Sequence, residues 1–142
     1  MIRIRSTDIY GSGRYGASRG KRLHNGIDIV CHKNESIDAF ESGTVTKIGL
    51  PYNPEDTKKA HLRYTEITVA NGDRHRYFYT DGIYLVDHVV SRGDTIAWAQ
   101  GLQDIYQGIT EHYHFEIMKP TAKRRYRNPV VILKGLGHEF LG

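Results

Sequence analysis

No window of this chain keeps apolar residues at the helical period of 3.6 for four turns, which excludes a fold built on long helices. Short runs rich in β-branched and aromatic residues recur instead, and turn-forming residues such as glycine and asparagine separate them. We predict β-strands in seven of these runs, at residues 27–30, 36–40, 43–49, 64–70, 74–79, 94–97 and 113–118. The predicted fold is therefore mostly β, with at most one or two short helices.

Two local signals refine this outline. Asn71 and Gly72 separate two of the predicted strands, and because both residues tolerate a positive φ they favour a type I′ hairpin. Farther upstream, Asn53 followed by Pro54 is typical of a helix start, with Asn53 as the N-cap and Pro54 at the first helical position. We therefore expect one short helix in a surface insertion at this point.

The segment from His112 to Glu116 carries side chains that bind metals. Because the side chains of a strand alternate between its two faces, an extended chain directs His112, His114 and Glu116 to one side. Glu116 can support a metal ligand there or simply lie at the surface. The chain has eight histidines, so a His-x-His pair taken alone also fits ordinary structural histidines.

A second group of metal-ligating side chains lies upstream. His24 and Asp28 can converge on one point if the chain bends at Gly26. Two neutral imidazoles and one carboxylate, with water as the fourth ligand, are what a catalytic zinc site uses. We therefore predict that His24, Asp28 and His114 bind Zn²⁺. His112 would lie beside the metal as a general base, since imidazole titrates near neutral pH.

These motifs, and the segments between them, resemble in their order the lysostaphin-type zinc metallopeptidases. The segments that carry the resemblance are Tyr15-Gly16-Ala17-Ser18-Arg19, His24-x-Gly26-x-Asp28, Gly43-Thr44-Val45, Gly93-Asp94-Thr95-Ile96, His112-x-His114-Phe115-Glu116 and Asn128-Pro129. The resemblance implies one domain over residues 1–142 with a core at about 10–133, folded as an antiparallel β-sheet platform with a metal-site groove. In that family the second histidine of His-x-His binds zinc and the first acts in catalysis, which favours these roles for His114 and His112.

A closer likeness, within that group, is to the leukocyte cell-derived chemotaxin branch. The residues that carry it are 15–31, Pro51-Tyr52, Tyr77-Phe78-Tyr79 and Tyr106-x-Gly108-Ile109. Members of that branch keep the zinc ligands but are regarded as non-enzymatic. Active lysostaphin-type enzymes carry a further histidine on a central strand, and this chain has Tyr79 in its place.

The role of Tyr79 therefore decides between an active enzyme and an inactive one. A phenol with a pKa near ~10 is a poor base at neutral pH, but it is a good neutral hydrogen-bond donor. Tyr79 can then serve catalysis by stabilising an oxyanion, or it can simply fill the groove of a protein that has lost its activity. Strand alternation places His75, Tyr77 and Tyr79 on the same face.

Length, cysteine content and charge limit the number of domains, the possible disulfides and the kind of partner. A chain of 142 residues with 39% hydrophobic content can support one ordinary core. Cys31 is the only cysteine, so no intrachain disulfide can form, and we expect a small buried side chain. The net charge of +4 suggests an acidic partner. The densest cluster of basic residues lies at 123–127, and it is either a solvated loop or a contact for an anionic polymer. No motif around this cluster indicates nucleic-acid binding.

The leading functional prediction is a zinc-dependent endopeptidase that cleaves the peptide cross-links of bacterial peptidoglycan. No apolar run is long enough to span a membrane, and residues 1–5 lack the apolar core of a secretory signal. We therefore expect synthesis in the cytoplasm without a signal peptide, and a phage product that acts from the virion or on the host cell wall, with other phage tail or virion proteins as candidate partners. The alternative is a catalytically impaired, zinc-stabilised module that binds the wall or builds a virion.

Overall fold

The computed structural model describes residues 1–120 and 124–141, and their structure is mostly β. In chain order the elements are β1 (Ser18–Arg19), β2 (Arg22–Leu23), β3 (Ile27–Val30), β4 (Ser36–Asp38), β5 (Gly43–Gly49), β6 (Tyr64–Val69), β7 (Arg74–Phe78), β8 (Thr80–Gly82), β9 (Val89–Val90), β10 (Thr95–Ala99), β11 (His112–Met118), β12 (Tyr126–Arg127) and α1 (Pro129–Gly135). A strand is present in each of the seven predicted segments, and the predicted fold class is confirmed.

The strands form one large antiparallel sheet and two smaller ones. The large sheet has the order β12-β11-β7-β6-β5-β9, and β3 pairs with the same edge of β11 as β12, opposite β7. A three-stranded sheet has the order β4-β10-β8, and β1 and β2 form a separate hairpin. Among the described residues, no helix is long and apolar enough to cross a membrane.

The central strands of the large sheet divide their two faces between core and site. On one face Tyr77, Phe115 and Ile117 are fully buried and pack with Leu133 of α1 in the main hydrophobic cluster. On the other face lie polar groups, and Arg76 of β7 donates to Glu66 of β6 at 2.7 Å. Since β11 is buried along its whole length on both faces, its polar side chains are held in fixed positions.

The hairpin predicted at Asn71 and Gly72 is only partly right. The chain does turn back at Asn71 and Gly72, but only Gly72 has a positive φ (88°), so the turn is not type I′. The Gly72 N–H donates to the Val69 carbonyl at 2.9 Å, and the Asn71 side chain accepts from the Asp73 N–H at 2.9 Å. This side-chain bond is the local alternative that asparagine offers to a symmetric two-residue turn.

The predicted helix at Asn53 is wrong. The Asn53 side chain does accept from the Glu55 N–H at 2.9 Å, but the segment continues as turns. The helix forms instead at α1, where Asn128 caps the Val130 N–H at 3.0 Å and Pro129 follows the cap. The segment at Asn53 is exposed and has no apolar face to bury, so a cap alone does not stabilise a helix there.

Candidate metal centre

The pairing of β3 with β11 brings two of the predicted ligands together. His114 lies directly opposite Asp28 in the antiparallel register, and opposite residues project from the same face of a sheet. The bend at Gly26 brings in the third residue, His24. A Cβ on Gly26 would lie 2.2 Å from the Phe115 carbonyl oxygen, so only glycine lets the chain pass this close to β11. Backbone bonds to Ala17 and Gly16 then hold His24 in place.

Three ligand atoms of these residues form a small triangle. His24 Nε2 is 3.0 Å from His114 Nδ1, and each of these nitrogens is 3.1 Å from Asp28 Oδ1. Ligand atoms at the usual zinc distances of ~2.0–2.1 Å in tetrahedral geometry lie roughly 3.3 Å from one another. The triangle therefore has the size and the donor chemistry of one face of a zinc tetrahedron.

Hydrogen bonds on the far side of each imidazole fix its orientation. His24 Nδ1 is 2.9 Å from the Arg14 carbonyl, and His114 Nε2 is 2.9 Å from Glu116 Oε1. Both partners only accept, so these ring nitrogens carry the protons and the opposite nitrogens present lone pairs. Three acceptor atoms thus converge with no donor between them, which is stable only when a cation or an extra proton lies among them.

The electrostatic environment of the buried site agrees with this requirement. Burial alone would raise the pKa of Asp28, but hydrogen bonds with His114 and His24 hold it well below its usual range. Burial alone would lower the pKa of His114, but its bonds to Asp28 and Glu116 raise it to about 9. The site therefore has a strong demand for positive charge.

Arg5 supports the carboxylate from the side away from the ligand triangle. Its Nε and Nη2 donate to Asp28 Oδ2 at 3.2 and 2.9 Å, which leaves Oδ1 for the triangle. Arg5 is almost fully buried and also bonds Asp8 at 2.7 Å. No sequence motif predicts this role of Arg5, because the carboxylate that it binds lies 23 positions away.

His112 lies beside the triangle in an orientation suited to a base. Its Nδ1 donates to the Thr110 carbonyl at 2.8 Å, so Nε2 keeps its lone pair, and Nε2 is 3.7 Å from Asp28 Oδ2. Burial lowers the pKa of His112, although the nearby Asp28 charge partly opposes this. The ring is therefore neutral at pH 7 and able to take up a proton.

Tyr79 reaches the same groove by a route that strand alternation does not predict. His75 and Tyr77 point into the core, so the expectation that they share a face with Tyr79 is wrong. The cause is a positive φ of 68° at Tyr79, which ends β7 and turns the side chain back toward His112. The two rings have centroids 6.0 Å apart.

A chain of phenol groups contacts the Tyr79 hydroxyl. Tyr106 donates to the Tyr52 hydroxyl at 3.2 Å, and the Tyr52 and Tyr79 hydroxyls are 3.3 Å apart. Lys59 lies over the Tyr52 and Tyr106 rings at 4.9 and 5.1 Å from their centroids. Burial raises the pKa of Tyr79 to about 12, so the phenol keeps its proton at neutral pH.

The site opens into a groove of about 450 Å³. Its lining combines the metal-site residues with aromatic side chains and with three arginines, Arg5, Arg19 and Arg22. Tyr52 and Tyr106, which were part of the sequence likeness, both line this groove. Of the basic cluster at 123–127, Lys123 lies outside the described residues, and Arg124 and Arg125 are exposed.

Two curated proteins of similar sequence are leukocyte cell-derived chemotaxin-2 from different mammals. No family model matches the chain. Leukocyte cell-derived chemotaxin-2 of Mus musculus is 29% identical over 113 residues, which cover 80% of this chain and 72% of that protein. The Bos taurus protein is 27% identical over the same length and coverage.

Solved structures of similar fold include catalytic domains. The catalytic domain of the antimicrobial peptidase lysostaphin from Staphylococcus simulans superimposes with a TM-score of 0.64 at 19% identity, covering 86% of this chain and 87% of that one. LytU gives 0.66 at 26% identity, with 95% and 86% covered. The catalytic domain of prophage-encoded EnpA from Enterococcus faecalis gives 0.60 at 19%, with 89% and 88% covered. The resemblance predicted from the motifs is thus confirmed, and the chain has the lysostaphin-type fold.

Proposed function

We propose that this protein is a zinc-dependent endopeptidase that cleaves peptide cross-links of bacterial peptidoglycan. The observation that carries the proposal is the convergence of His24 Nε2, His114 Nδ1 and Asp28 Oδ1 within 3.0–3.1 Å of one another, with their other polar atoms already engaged. The lysostaphin-type fold supports the same reaction class, since lysostaphin is itself an antimicrobial peptidase.

The metal would supply Lewis-acid chemistry at the base of the groove. His24, Asp28 and His114 would hold the zinc ion, which would make a water molecule more acidic, with a pKa toward ~7, and would polarise a peptide carbonyl. Arg5 keeps Asp28 ionised and oriented, and Glu116 fixes the His114 tautomer.

Two further side chains perform the proton transfer and the charge stabilisation. The free Nε2 of His112 takes the proton of the attacking water and returns it to the leaving amine. If Tyr106 donates to Tyr52 and Tyr52 donates to Tyr79, the Tyr79 proton is left to bond the developing oxyanion.

The groove fits an extended, partly acidic peptide. Tyr10, Tyr52 and Tyr106 provide flat surfaces with hydroxyl groups, which bind a peptide at low entropic cost. Arg19 and Arg22 provide positive charge for the free carboxylates that wall peptides carry.

Release of new amino groups from purified peptidoglycan tests this proposal. The zinc-loaded protein should release them, a chelator should stop the release, and added zinc should restore it. His114→Ala should be inactive, whereas His32→Ala, which removes an exposed histidine outside the site, should be as active as the parent. If the zinc-loaded parent released no amino groups, the proposed endopeptidase activity would be refuted.

Two observations favour a second candidate function. The Tyr79 hydroxyl already has a partner in Tyr52, and the sequence likeness is to chemotaxin-2. A zinc-stabilised module that binds wall peptide, or builds a virion, without cutting would use the same groove. Sedimentation with peptidoglycan, combined with no amino-group release, is the result that this function predicts.

We also propose a phage origin for the protein, acting from the virion or at lysis on the host wall. The support is the shared fold with a prophage-encoded catalytic domain. Mass spectrometry of purified virions from an induced host culture should detect the chain if it is a virion component.

A further inference from the structure

Trp98 is the only tryptophan of the chain, and it lies 46% exposed on β10, away from the metal centre. β10 is the middle strand of the three-stranded sheet, and its register places Ser36 of β4 and Asp81 of β8 directly opposite Trp98. Directly opposite residues share a face. A hydroxyl and a carboxylate therefore flank the indole on the solvent side of this sheet.

The indole lines a separate pocket of about 340 Å³. Its other polar lining residues are Asn34, His61, Asp81 and Gln100. Gln100 is structural, because its amide bonds the Arg63 N–H at 2.9 Å and the His61 carbonyl at 2.7 Å. The other three side chains are exposed, and within the described part of the chain they make no hydrogen bond or ion pair.

We propose that this pocket binds a sugar ring. A pyranose has a flat face of C–H groups, which packs on an indole, and a rim of hydroxyl groups, which pairs with carboxylate and amide side chains. Asp81 and Asn34 supply these partners beside Trp98. An anionic ligand would be repelled by Asp81, and an apolar one would leave the polar groups unpaired.

The position of the pocket connects it to the catalytic groove. The Gln100 N–H donates to the Tyr79 carbonyl at 2.9 Å, and Leu102, two residues farther on, lines the groove. Gln100 thus links the two sites through the backbone, and the proposal extends to a substrate that carries both a peptide and a glycan. We expect the sugar to be an N-acetylated amino sugar of the wall glycan. This identification rests on the proposed function, whereas sugar binding itself does not.

Because Trp98 is the only tryptophan, the tryptophan fluorescence of the protein reports on this pocket. Titration of the zinc-loaded protein with tetra-N-acetylchitotetraose should give a saturable change in tryptophan fluorescence. Asp81→Ala keeps the fluorophore and should weaken the affinity by about tenfold, the effect of one lost hydrogen bond to a charged group. Glu139→Ala removes an exposed carboxylate that does not line the pocket and should bind like the parent. A flat titration, or an unchanged affinity in Asp81→Ala, would overturn the assignment.

Calorimetry and hydrolysis extend the test to the tryptophan itself. Trp98→Ala should lose heat of binding to the saccharide, and Trp98→Tyr should retain part of it. Trp98→Ala should release amino groups from a soluble cross-link peptide at the parental rate but more slowly from intact peptidoglycan. Sugar binding without any hydrolysis would support this site while refuting the enzyme, and hydrolysis without sugar binding would do the reverse.

Discussion

At the scale of the residue, the proposed zinc site depends on which atom of each side chain faces the ligand triangle. His24 presents Nε2, whereas His114 presents Nδ1, and in each case a single acceptor on the far side decides the tautomer. The sequence predicted the residues, because ligand type and spacing are local properties. It could not predict the supporting groups, since the Arg14 carbonyl, which accepts from His24, and the Arg5 guanidinium, which donates to Asp28, reach the site only through folding.

Tyr79→Phe tests the proposed oxyanion donor. The variant should keep its fold and its zinc, because the ring remains and the hydroxyl contacts only Tyr52 among the described residues. If the phenol proton stabilises the oxyanion, kcat should fall by ~100 to 1000-fold, the usual cost of one lost donor. Steady-state hydrolysis measures the effect.

Tyr79→His provides the matching comparison, because it restores the histidine that active lysostaphin-type enzymes carry. It should be at least as active as the parent. A Tyr79→Phe variant with parental kcat would show that the hydroxyl takes no part in the reaction.

At the scale of the element, regular strands were predictable and departures from regularity were not. Alternation correctly placed His112, His114 and Glu116 of β11 on one face. It failed after β7, where the positive φ at Tyr79 reverses the expected direction of the side chain. An Asn-Pro pair produced a helix at Asn128 but not at Asn53, since only the former precedes residues that pack on the core.

Gly26→Ala tests how the approach of β3 to β11 builds the site. The new Cβ would meet the Phe115 carbonyl at 2.2 Å, so the chain must move and His24 with it. We expect a loss of roughly 1–3 kcal/mol in the free energy of unfolding, together with weaker zinc binding. Urea denaturation and zinc titration measure the two effects.

Gly135→Ala is the matched control, because a Cβ there meets nothing within 4 Å. It should be neutral or slightly stabilising at the end of α1, since alanine favours the helix. Equal behaviour of the two variants would mean that close packing at Gly26 does not position His24.

At the scale of the whole molecule, the site depends on contacts between distant parts of the chain. The His24 and His114 rings meet across 90 positions of sequence, and no local pattern encodes that contact. The contacts of the hydrophobic core likewise join distant parts of the chain. Within the described residues, both ring nitrogens of buried His75 lack a hydrogen bond. Burial lowers the pKa of His75 to about 4, although the charge of Asp73 opposes this.

His75 should therefore make the fold sensitive to acid. In the unfolded chain a histidine takes up its proton near pH ~6.5, but His75 in the folded chain does so only at about 4. The unfolded state binds more protons in this window, so stability falls as pH drops from ~6.5 to 4 and is fully retained above ~6.5. The loss should approach about 3 kcal/mol.

His75→Phe should remove this contribution while keeping a ring against Phe115, whose centroid lies 5.4 Å away. Urea denaturation of both proteins at a series of pH values isolates the effect, because other titrating groups are common to both. Glu41 Oε2, 3.7 Å from His75 Nε2, is the nearest acidic group. A parent-minus-variant difference that does not change between pH 6.5 and 4 would contradict the assignment.

The most direct test of the central claim is the zinc content of the purified protein, because every step of the proposed reaction depends on the metal centre. Elemental analysis after zinc loading and dialysis should give one zinc per chain for the parent and for His112→Ala, whose imidazole is a base and not a ligand. His114→Ala should contain none, because it removes the Nδ1 that completes the ligand triangle. Undiminished zinc in His114→Ala would contradict the account.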